Sequence, residues 1–521
     1  MRRLEVVMCT ILMAFTFTGL SEINERMPVK ADDVTNSSAL MSYDSSDLSD
    51  LENQPPQINY PTGKKYHRLN SKTPDVYQTD PSSQQSNGMQ TMFFLPKGFN
   101  VDSREHGNYQ SIVVTKDNLY LLESMGTDSN QGAIIKISMN DIKQMGLDTP
   151  DQINSIAEAF HFYSPLNKHG YASSKYFENP DTSLSDFSSV INGDKESANH
   201  LSSALNELSD KQDQSNTTLK YWNKILNRTN NNLKKLQSSK PKNKIAKSQL
   251  KANQATAKQI IKHANNEIST WQKFQNNYQN KTKEVQQDLS QQQAKIDLEE
   301  KQYAKLQAFI PKLKMYKSIV NKIKVTGLMD IGHGQSLSYN PVDNGLYLIQ
   351  DDQPTTDPYN HVIKMNPDTL NVEKRYSFLM PHDGAYYKIH TLTFDNQGNA
   401  YVGRSYSYGE DGNKYIIFKG NFSDNSVYFQ PEKQLIDRGN PVNQYISYDA
   451  SNNRIYIVSN DLLTSVPLDK LNQGTLTPDD VNYTLFDTHR EFEGLSFDQA
   501  GNGYQLLLWS PEVMKYNYPL N

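Results

Sequence analysis

One short phrase occurs five times in this chain, and it constrains the fold more than any other feature. Each copy passes from a polar residue through a small or polar one into an alternating apolar strand. A turn rich in Asp, Asn and Gly follows, then a second strand bearing Tyr. The first copy is Gln110-Ser111-Ile112-Val113-Val114 with Leu119-Tyr120-Leu121-Leu122. The second is Gln335-Ser336-Leu337-Ser338-Tyr339 with Leu346-Tyr347-Leu348-Ile349, and the third is His390-Thr391-Leu392-Thr393-Phe394 with Ala400-Tyr401-Val402. The fourth is Gln444-Tyr445-Ile446-Ser447-Tyr448 with Ile455-Tyr456-Ile457-Val458. Glu493-Gly494-Leu495-Ser496-Phe497 with Gly503-Tyr504-Gln505-Leu506 completes the set. The last four begin at residues 335, 390, 444 and 493, a period of about 49 to 55 residues. One small sheet cannot bury both its faces, and strand-and-turn repeats of about fifty residues are the pattern of β-propeller blades.

Every unit offers a third strand as well: Ala133–Ile137, His361–Met365, Tyr415–Lys419, Leu463–Pro467 and Val513–Tyr516. The expectation is a mainly β chain, a five-bladed β-propeller interrupted by a long antiparallel α-helical coiled-coil insertion. Residues 91–142 supply the first blade and residues 323–521 the remaining four, joined into one propeller. Alternation assigns Leu337, Tyr339, Leu392, Phe394, Ile446, Tyr448, Leu495 and Phe497 to the space between blades.

Residues 1–31 read as a secretory signal, with Arg2 and Arg3, an apolar run from Val6 to Leu20, and Val29-Lys30-Ala31 as a small-x-small cleavage site. Retention of this segment as an N-terminal anchor is the alternative. The only cysteine, Cys9, lies inside it, so the mature chain has no thiol for disulfides, thiolate metal sites or nucleophilic catalysis. A large secreted chain without disulfides suits a Gram-positive exporter, and the expected location is extracellular or on the cell surface. Residues 32–90 are rich in Ser, Asp, Asn, Gln and Pro and read as a disordered polar leader. Residues 143–194 form a mixed connector.

From 195 to 322 the pattern changes to heptads, through Leu205, Leu208, Leu219, Trp222, Leu226, Leu233 and Leu236, and again from Ile261 to Leu306. Ser238-Ser239-Lys240-Pro241 breaks the run and predicts a hairpin of two helices. Gln212, Gln275, Thr282, Gln292 and Glu299 occupy core slots. The second helix is longer than the first, so its excess must pair with residues 143–194, pair with another copy, or fold back. This segment carries 24 Lys plus Arg against 10 Asp plus Glu, a net of +14 in a chain whose total is -5. A basic arm on an otherwise acidic chain predicts attraction to anionic cell-wall polymer or to a membrane surface. Lysines that only keep a Gln-rich coiled coil soluble are the other reading, and self-association through the coil is a third contact to expect. No base-stacking or groove-reading motif accompanies the charge, so nucleic acid is not an expected partner.

If the repeat closes into a propeller, the starting residue of each first strand faces the channel mouth. Gln110, Gln335, His390, Gln444 and Glu493 then converge there, with His333 beside them. The ends of the second strands add Glu123, Asp351, Arg404, Asn460 and Trp509. Amide and imidazole groups around one inner carboxylate suit sugar hydroxyls, and predict a non-catalytic site for an envelope glycan. A channel mouth holding only water carries the same residues. An acid–base glycosidase needs two or three carboxylates on the channel, and a metal-assisted hydrolase would draw on Glu493, His333, His390 and Asp351. No catalytic motif and no resident cofactor follows from the sequence. The turns of the type Asp395-Asn396-Gln397-Gly398-Asn399 read as tight hairpin turns and not as calcium loops.

Gly332-His333-Gly334-Gln335-Ser336-Leu337, the Tyr-bearing strands and Glu493-Gly494-Leu495 resemble the helveticin J-like family of large secreted bacteriocins (class III). The resemblance covers roughly residues 92–142 and 325–521. It implies a five-bladed propeller, a bacterial envelope partner, a bacteriocin-like effect, and a role for His333 and Gln335 at the channel mouth. The basic coiled coil departs from that family's pattern. Glu493-Gly494 is also similar to a motif of metal-dependent lactonases.

Overall fold

Among the described residues four strands precede the first copy of the repeat, and each copy then opens an antiparallel sheet. The computed structural model describes residues 32–56, 79–83, 88–99, 108–125, 130–163, 180–350, 357–406, 414–439, 442–508 and 510–520. The signal-like residues 1–31, and with them Asp351 and Trp509, lie outside this set. The chain divides into two compact units, Met1–Ser174 with Lys314–Asn521, and Lys175–Leu313. The first is mainly β and the second is a helical hairpin.

The early strands are β1 (Asp32–Asn36), β2 (Ser49–Asp50), β3 (Thr79–Pro81) and β4 (Gly88–Phe94). Sheet I is β5 (Asn108–Val114), β6 (Asn118–Ser124) and β7 (Gln131–Ser138), with β8 (Lys324–Val325) and β9 (Met329–Asp330) both paired to β7. The insertion therefore falls inside the first sheet, between its third and fourth strands. Sheet II is β10 (Leu337–Asn340), β11 (Gly345–Ile349), β12 (Asn360–Met365) and β13 (Val372–Phe378). A small hairpin, β14 (Pro381–His382) with β15 (Ala385–Tyr386), leads to sheet III. That sheet holds β16 (Thr391–Phe394), β17 (Ala400–Ser405), β18 (Lys414–Phe422), β19 (Val427–Pro431) and β20 (Gln434–Asp437). Sheet IV is β21 (Tyr445–Asp449), β22 (Arg454–Ser459), β23 (Leu462–Pro467) and β24 (Asn482–Leu485). Sheet V is β25 (Phe492–Phe497), β26 (Gly503–Leu507) and β27 (Glu512–Tyr516), and the N-terminal β4 and β3 complete it.

The first strands neighbour one another in the order β5, β10, β16, β21, β25 and back to β5. Side chains stitch these neighbours. Ser111 Oγ accepts from Leu337 N at 2.9 Å, Ser336 Oγ accepts from Leu392 N at 2.9 Å, and Ser496 Oγ accepts from Val114 N at 2.8 Å. This explains the small second position of the repeat, because the next strand passes close by. At Gly494 a Cβ would lie 3.0 Å from both the backbone N and Cγ2 of Ile112. Apolar clusters fill the spaces between successive sheets, and Leu337, Leu392, Ile446, Leu495, Phe394 and Phe497 are buried in them. Tyr339 and Tyr448 are only half-buried.

The turn chemistry repeats with the strands. Asp395 Oδ1 accepts from Gln397 N and Asn399 N, both at 2.9 Å, while its Oδ2 accepts from the Tyr401 hydroxyl at 3.2 Å. Asp498 is bonded in the same way by Ala500 N, Asn502 N and Tyr504. Gly398 and Gly501 supply φ values of 81° and 80° there. Backbone amides and the tyrosine of the second strand thus occupy these carboxylates, which is the hairpin-turn reading of the sequence.

The leader expectation fails for the described part of residues 32–90. β1 lies parallel along β13, and β2 lies parallel along β20. Between them Met41 N donates to Phe429 O at 2.8 Å and Phe429 N to Ala39 O at 2.7 Å. Asn53 exchanges hydrogen bonds with the backbone of Asp437 at 2.6 and 2.9 Å. Val34, Ala39, Leu40 and Leu51 are buried. Composition undercounts such a strap, because edge-strand amides and four spaced apolar anchors offset its ordering entropy. The described part of the connector holds α2 (Ser155–Phe162), after α1 (Met139–Gln144) at its start.

The hairpin consists of α3 (Pro180–Ser238) and α4 (Lys244–Lys322). α3 starts at Pro180 and not near 195, which takes up part of the excess of the longer second helix, and beyond it Tyr316 of α4 bonds Glu158 and meets Phe162 in α2. Phe187 meets Tyr303, with ring centres 6.2 Å apart. Ser215, Ala257 and Ala264 are buried along the seam. The polar core slots are bonded across it. Gln212 Nε2 donates to Thr282 Oγ1 at 3.2 Å, and Gln292 Nε2 to Asp194 Oδ1 at 2.8 Å. Lys295 pairs with Asp194 at 2.8 Å and holds its carboxyl below the usual range. Polar layers of this kind fix register at some cost in stability. Among the described residues no helix is long and apolar enough to cross a membrane.

Candidate functional site

The starts of three first strands do converge, but on one another. Gln335 Nε2 donates to Gln444 O at 2.8 Å, to Gln444 Oε1 at 3.2 Å and to Glu493 Oε2 at 3.3 Å. Gln444 Nε2 reaches Asn460 Oδ1 and Glu491 Oε1, each at 3.4 Å. Asn460 Oδ1 also accepts from Phe492 N at 2.9 Å. Gln335, Gln444, Glu493 and Gln110 are all at most 7% exposed. Burial holds the Glu493 carboxyl well above the usual carboxylate range, and the adjacent Glu491 adds to this. Burial therefore favours the protonated form of Glu493. Among the described residues this end of the strands is a closed polar plug, in contrast to the open ring expected from the sequence.

The other candidates are scattered. Gln110 lies at a bulge of β5, and its Oε1 has no hydrogen-bond partner among the described residues. His390 is half-buried just before β16. His333 is exposed in a turn whose glycines, Gly332 and Gly334, have φ of 60° and 80°. A Cβ at Gly334 would meet Ile331 Cδ1 at 2.8 Å, so the Gly-His-Gly motif here serves a tight turn on the core. Arg404 leaves the plug and lies over the Tyr387 ring, 3.8 Å from its centre. Glu123 is buried, accepts from Phe99 N at 3.2 Å, and is pushed up to about 7 by burial. No three of His, Cys, Asp and Glu are grouped to hold a metal ion among the described residues.

The concavity lies at the opposite end of the first strands. A cavity of about 390 Å³ is lined from all five sheets, by Val114, Ser338, Thr393, Ser447 and Ser496 among others. Tyr445 forms part of its lining and donates its hydroxyl to Leu337 O, so the β21 phenol separates the cavity from the plug. The walls include Tyr339 and Tyr448, whose hydroxyls donate to Asn344 and Asn453 at 2.9 Å each. Burial raises both phenols, Tyr448 to about 12, so they stay neutral donors. Lys116, Asp117, Asn396 and Gln499 line the rim and are exposed. Asp368, also on the rim, is paired with Lys136 at 3.2 Å. The volume falls within the range of about 300–1,000 Å³ common to small-ligand sites. Half-buried phenols among amides and carboxylates offer apolar ring faces with fixed hydrogen-bonding partners.

Sequence reasoning assigned Tyr339 and Tyr448 to the core and passed over Asp117, Asp368 and Glu491. One signal was present. Two of five equivalent positions carry Tyr where Val114, Phe394 and Phe497 stand in the others, and a polar tip on an interior ring asks for water or a ligand nearby. Glu491 lies two residues before Glu493, just outside β25, and its carboxyl reaches that of Glu493. No protein-family profile matches the chain, and no curated protein is significantly similar to it.

Proposed function

We propose that this is a secreted bacterial protein that binds envelope glycopolymer without cleaving it, using the cavity at the far end of a five-bladed propeller. The propeller reading is supported by the cyclic order of the five first strands and by β4 completing sheet V from the other end of the chain. Kinship with the helveticin J-like bacteriocins belongs to the same reading, and a bacteriocin-like effect follows when the envelope is a competitor's. Export is supported by the signal-like residues 1–31 and by the lack of any cysteine beyond Cys9.

One observation carries the choice of ligand: the 390 Å³ cavity combines two half-buried phenols with amide and carboxylate groups from several sheets. Lys116 is outnumbered there by Asp117, Asp368 and Asp498, so the fitting ligand is neutral and hydroxyl-rich. Anionic partners are left to the basic helical arm. The test is adsorption of purified protein to isolated Gram-positive envelopes and to their neutral glycan fraction. Tyr448→Ala and Asp117→Ala should each lower affinity about tenfold, the effect of losing a bonded group worth about 1.4 kcal/mol. Unchanged binding in both variants refutes the assignment.

A hydrolase is the second reading, favoured by the contact between the Glu493 and Glu491 carboxyls. Two carboxyls sharing a proton supply an acid and a base together. Release of sugar or polyol phosphate from envelopes, lost in Glu493→Gln, would establish it over the binding reading.

A further inference from the structure

The positive charge of the hairpin is not spread along it. Between Gln214 and Lys283, on either side of the interhelical turn, stand fifteen Lys or Arg and a single acid, Glu267. The remainder of residues 195–322 holds nine basic and nine acidic residues, so the whole net charge of +14 sits in the half nearest the turn. All fifteen basic side chains are exposed, and none forms an ion pair among the described residues. Among the described residues the ion pairs within the hairpin, Lys195 with Glu300 and Lys295 with Asp194 and Glu299, lie outside this half. On α3, Lys220, Lys224 and Arg228 follow at intervals of four residues and so share a face. Six lysines crowd the turn itself between residues 234 and 247.

The same half exposes apolar groups. Ile245, next to the turn, is 77% exposed, Tyr221 58%, Phe274 44% and Ile260 41%. We infer that the turn half of the hairpin docks on an anionic phospholipid surface. Charge complementarity selects a polyanion, and the exposed Ile, Tyr and Phe side chains select a bilayer, because only an interface with an acyl layer removes them from water. Fourteen of the fifteen cations are lysines, whose flexible point charges suit a diffuse headgroup layer better than fixed bidentate recognition. Helices of this kind lie in the interface and do not span it, in keeping with the absence of a spanning helix among the described residues. The inference extends the basic-arm reading, but it does not depend on the sugar site, which is scored by its own binding assay.

The test is co-sedimentation of the full chain with vesicles of phosphatidylcholine alone and of equimolar phosphatidylglycerol and phosphatidylcholine. The protein should partition onto the anionic vesicles only. Replacing Lys220, Lys224, Lys247 and Lys251 by Gln together should weaken this at least about tenfold. Ile245→Ser with Phe274→Ser, which keeps every charge, should abolish the fraction that stays bound in about 0.5 M salt, where the Debye length has fallen below about 5 Å. Helical circular dichroism of each variant verifies the fold. Equal binding to both vesicle types overturns the inference. So does capture by soluble polyphosphate without vesicle binding, which would assign the surface to a polymer. Salt-sensitive self-association without vesicles also overturns it, since the acidic β unit of a second copy would then be the occupant.

Discussion

Replacing Glu123 by Gln should make the β unit more stable in mild alkali and flatten its pH dependence. Glu123 lies at the end of β6, 1% exposed, with Phe99 N donating to its carboxylate at 3.2 Å. Burial outweighs that bond and carries the carboxyl from an ordinary 4.5 to about 7. An acid raised in this way keeps its proton in the folded state after the unfolded state has lost it. Stability is therefore full below the unfolded value, falls as pH rises, and levels off above the folded one. Between pH 5 and 8 the loss from this one group is roughly 2 to 3 kcal/mol, at about 1.4 kcal/mol for each pH interval of one. Gln keeps an oxygen for Phe99 N and carries no charge to bury. Urea unfolding followed by the near-ultraviolet signal of the tyrosines should show the variant gaining on the wild type at pH 8 and matching it more closely at pH 5. Glu432, pushed to about 7 by burial, and the buried Glu493 impose the same sign, so the wild type retains part of its pH dependence in the variant. Equal pH dependence in the two proteins would refute the burial argument.

Phe394→Ala should cost about 3 to 5 kcal/mol in the same unfolding assay, because the ring is buried between sheets II and III against Tyr347. Ser336→Ala leaves the buried Leu392 amide without its side-chain acceptor and should cost about 1 to 3 kcal/mol, while an exposed serine such as Ser423 should tolerate the same change. Deleting residues 32–56 bares the edges of β13 and β20, and should lower the unfolding temperature and promote aggregation on light scattering. A deletion variant as soluble and stable as the parent would return that segment to a dispensable leader.

The sheets were legible because each copy of the repeat carries its own local signals: period-two alternation, an Asx turn and a tyrosine that bonds it. Third strands such as Tyr415–Lys419 stood out for the same reason. The strap was not legible. Val34, Leu40 and Leu51 are too far apart to raise the local hydropathy, and the strands that hold them lie about 340 to 390 residues away in sequence. The early start of α3 was hidden because Ser183, Phe187 and Ile191 face the seam within a polar, Ser-rich stretch. For the site, the repeat located the ends of the first strands but not which end is open. Gln335 and Gln444 are long enough to meet across the starts, whereas Ser338 and Ser447 are short and leave room farther along. That difference is one of side-chain volume in three dimensions, which one-dimensional periodicity does not carry.

The central claim is that a neutral envelope glycan is bound at the far end of the first strands. A crystal structure of the protein soaked with a neutral oligosaccharide from Gram-positive envelopes tests it most directly. The account predicts sugar density in the cavity, against the Tyr339 and Tyr448 rings, with hydroxyls bonded to rim groups such as Asp117 and Asn396. Density among Gln335, Gln444 and Glu493 instead, or a cavity that remains empty under saturating sugar, would contradict it.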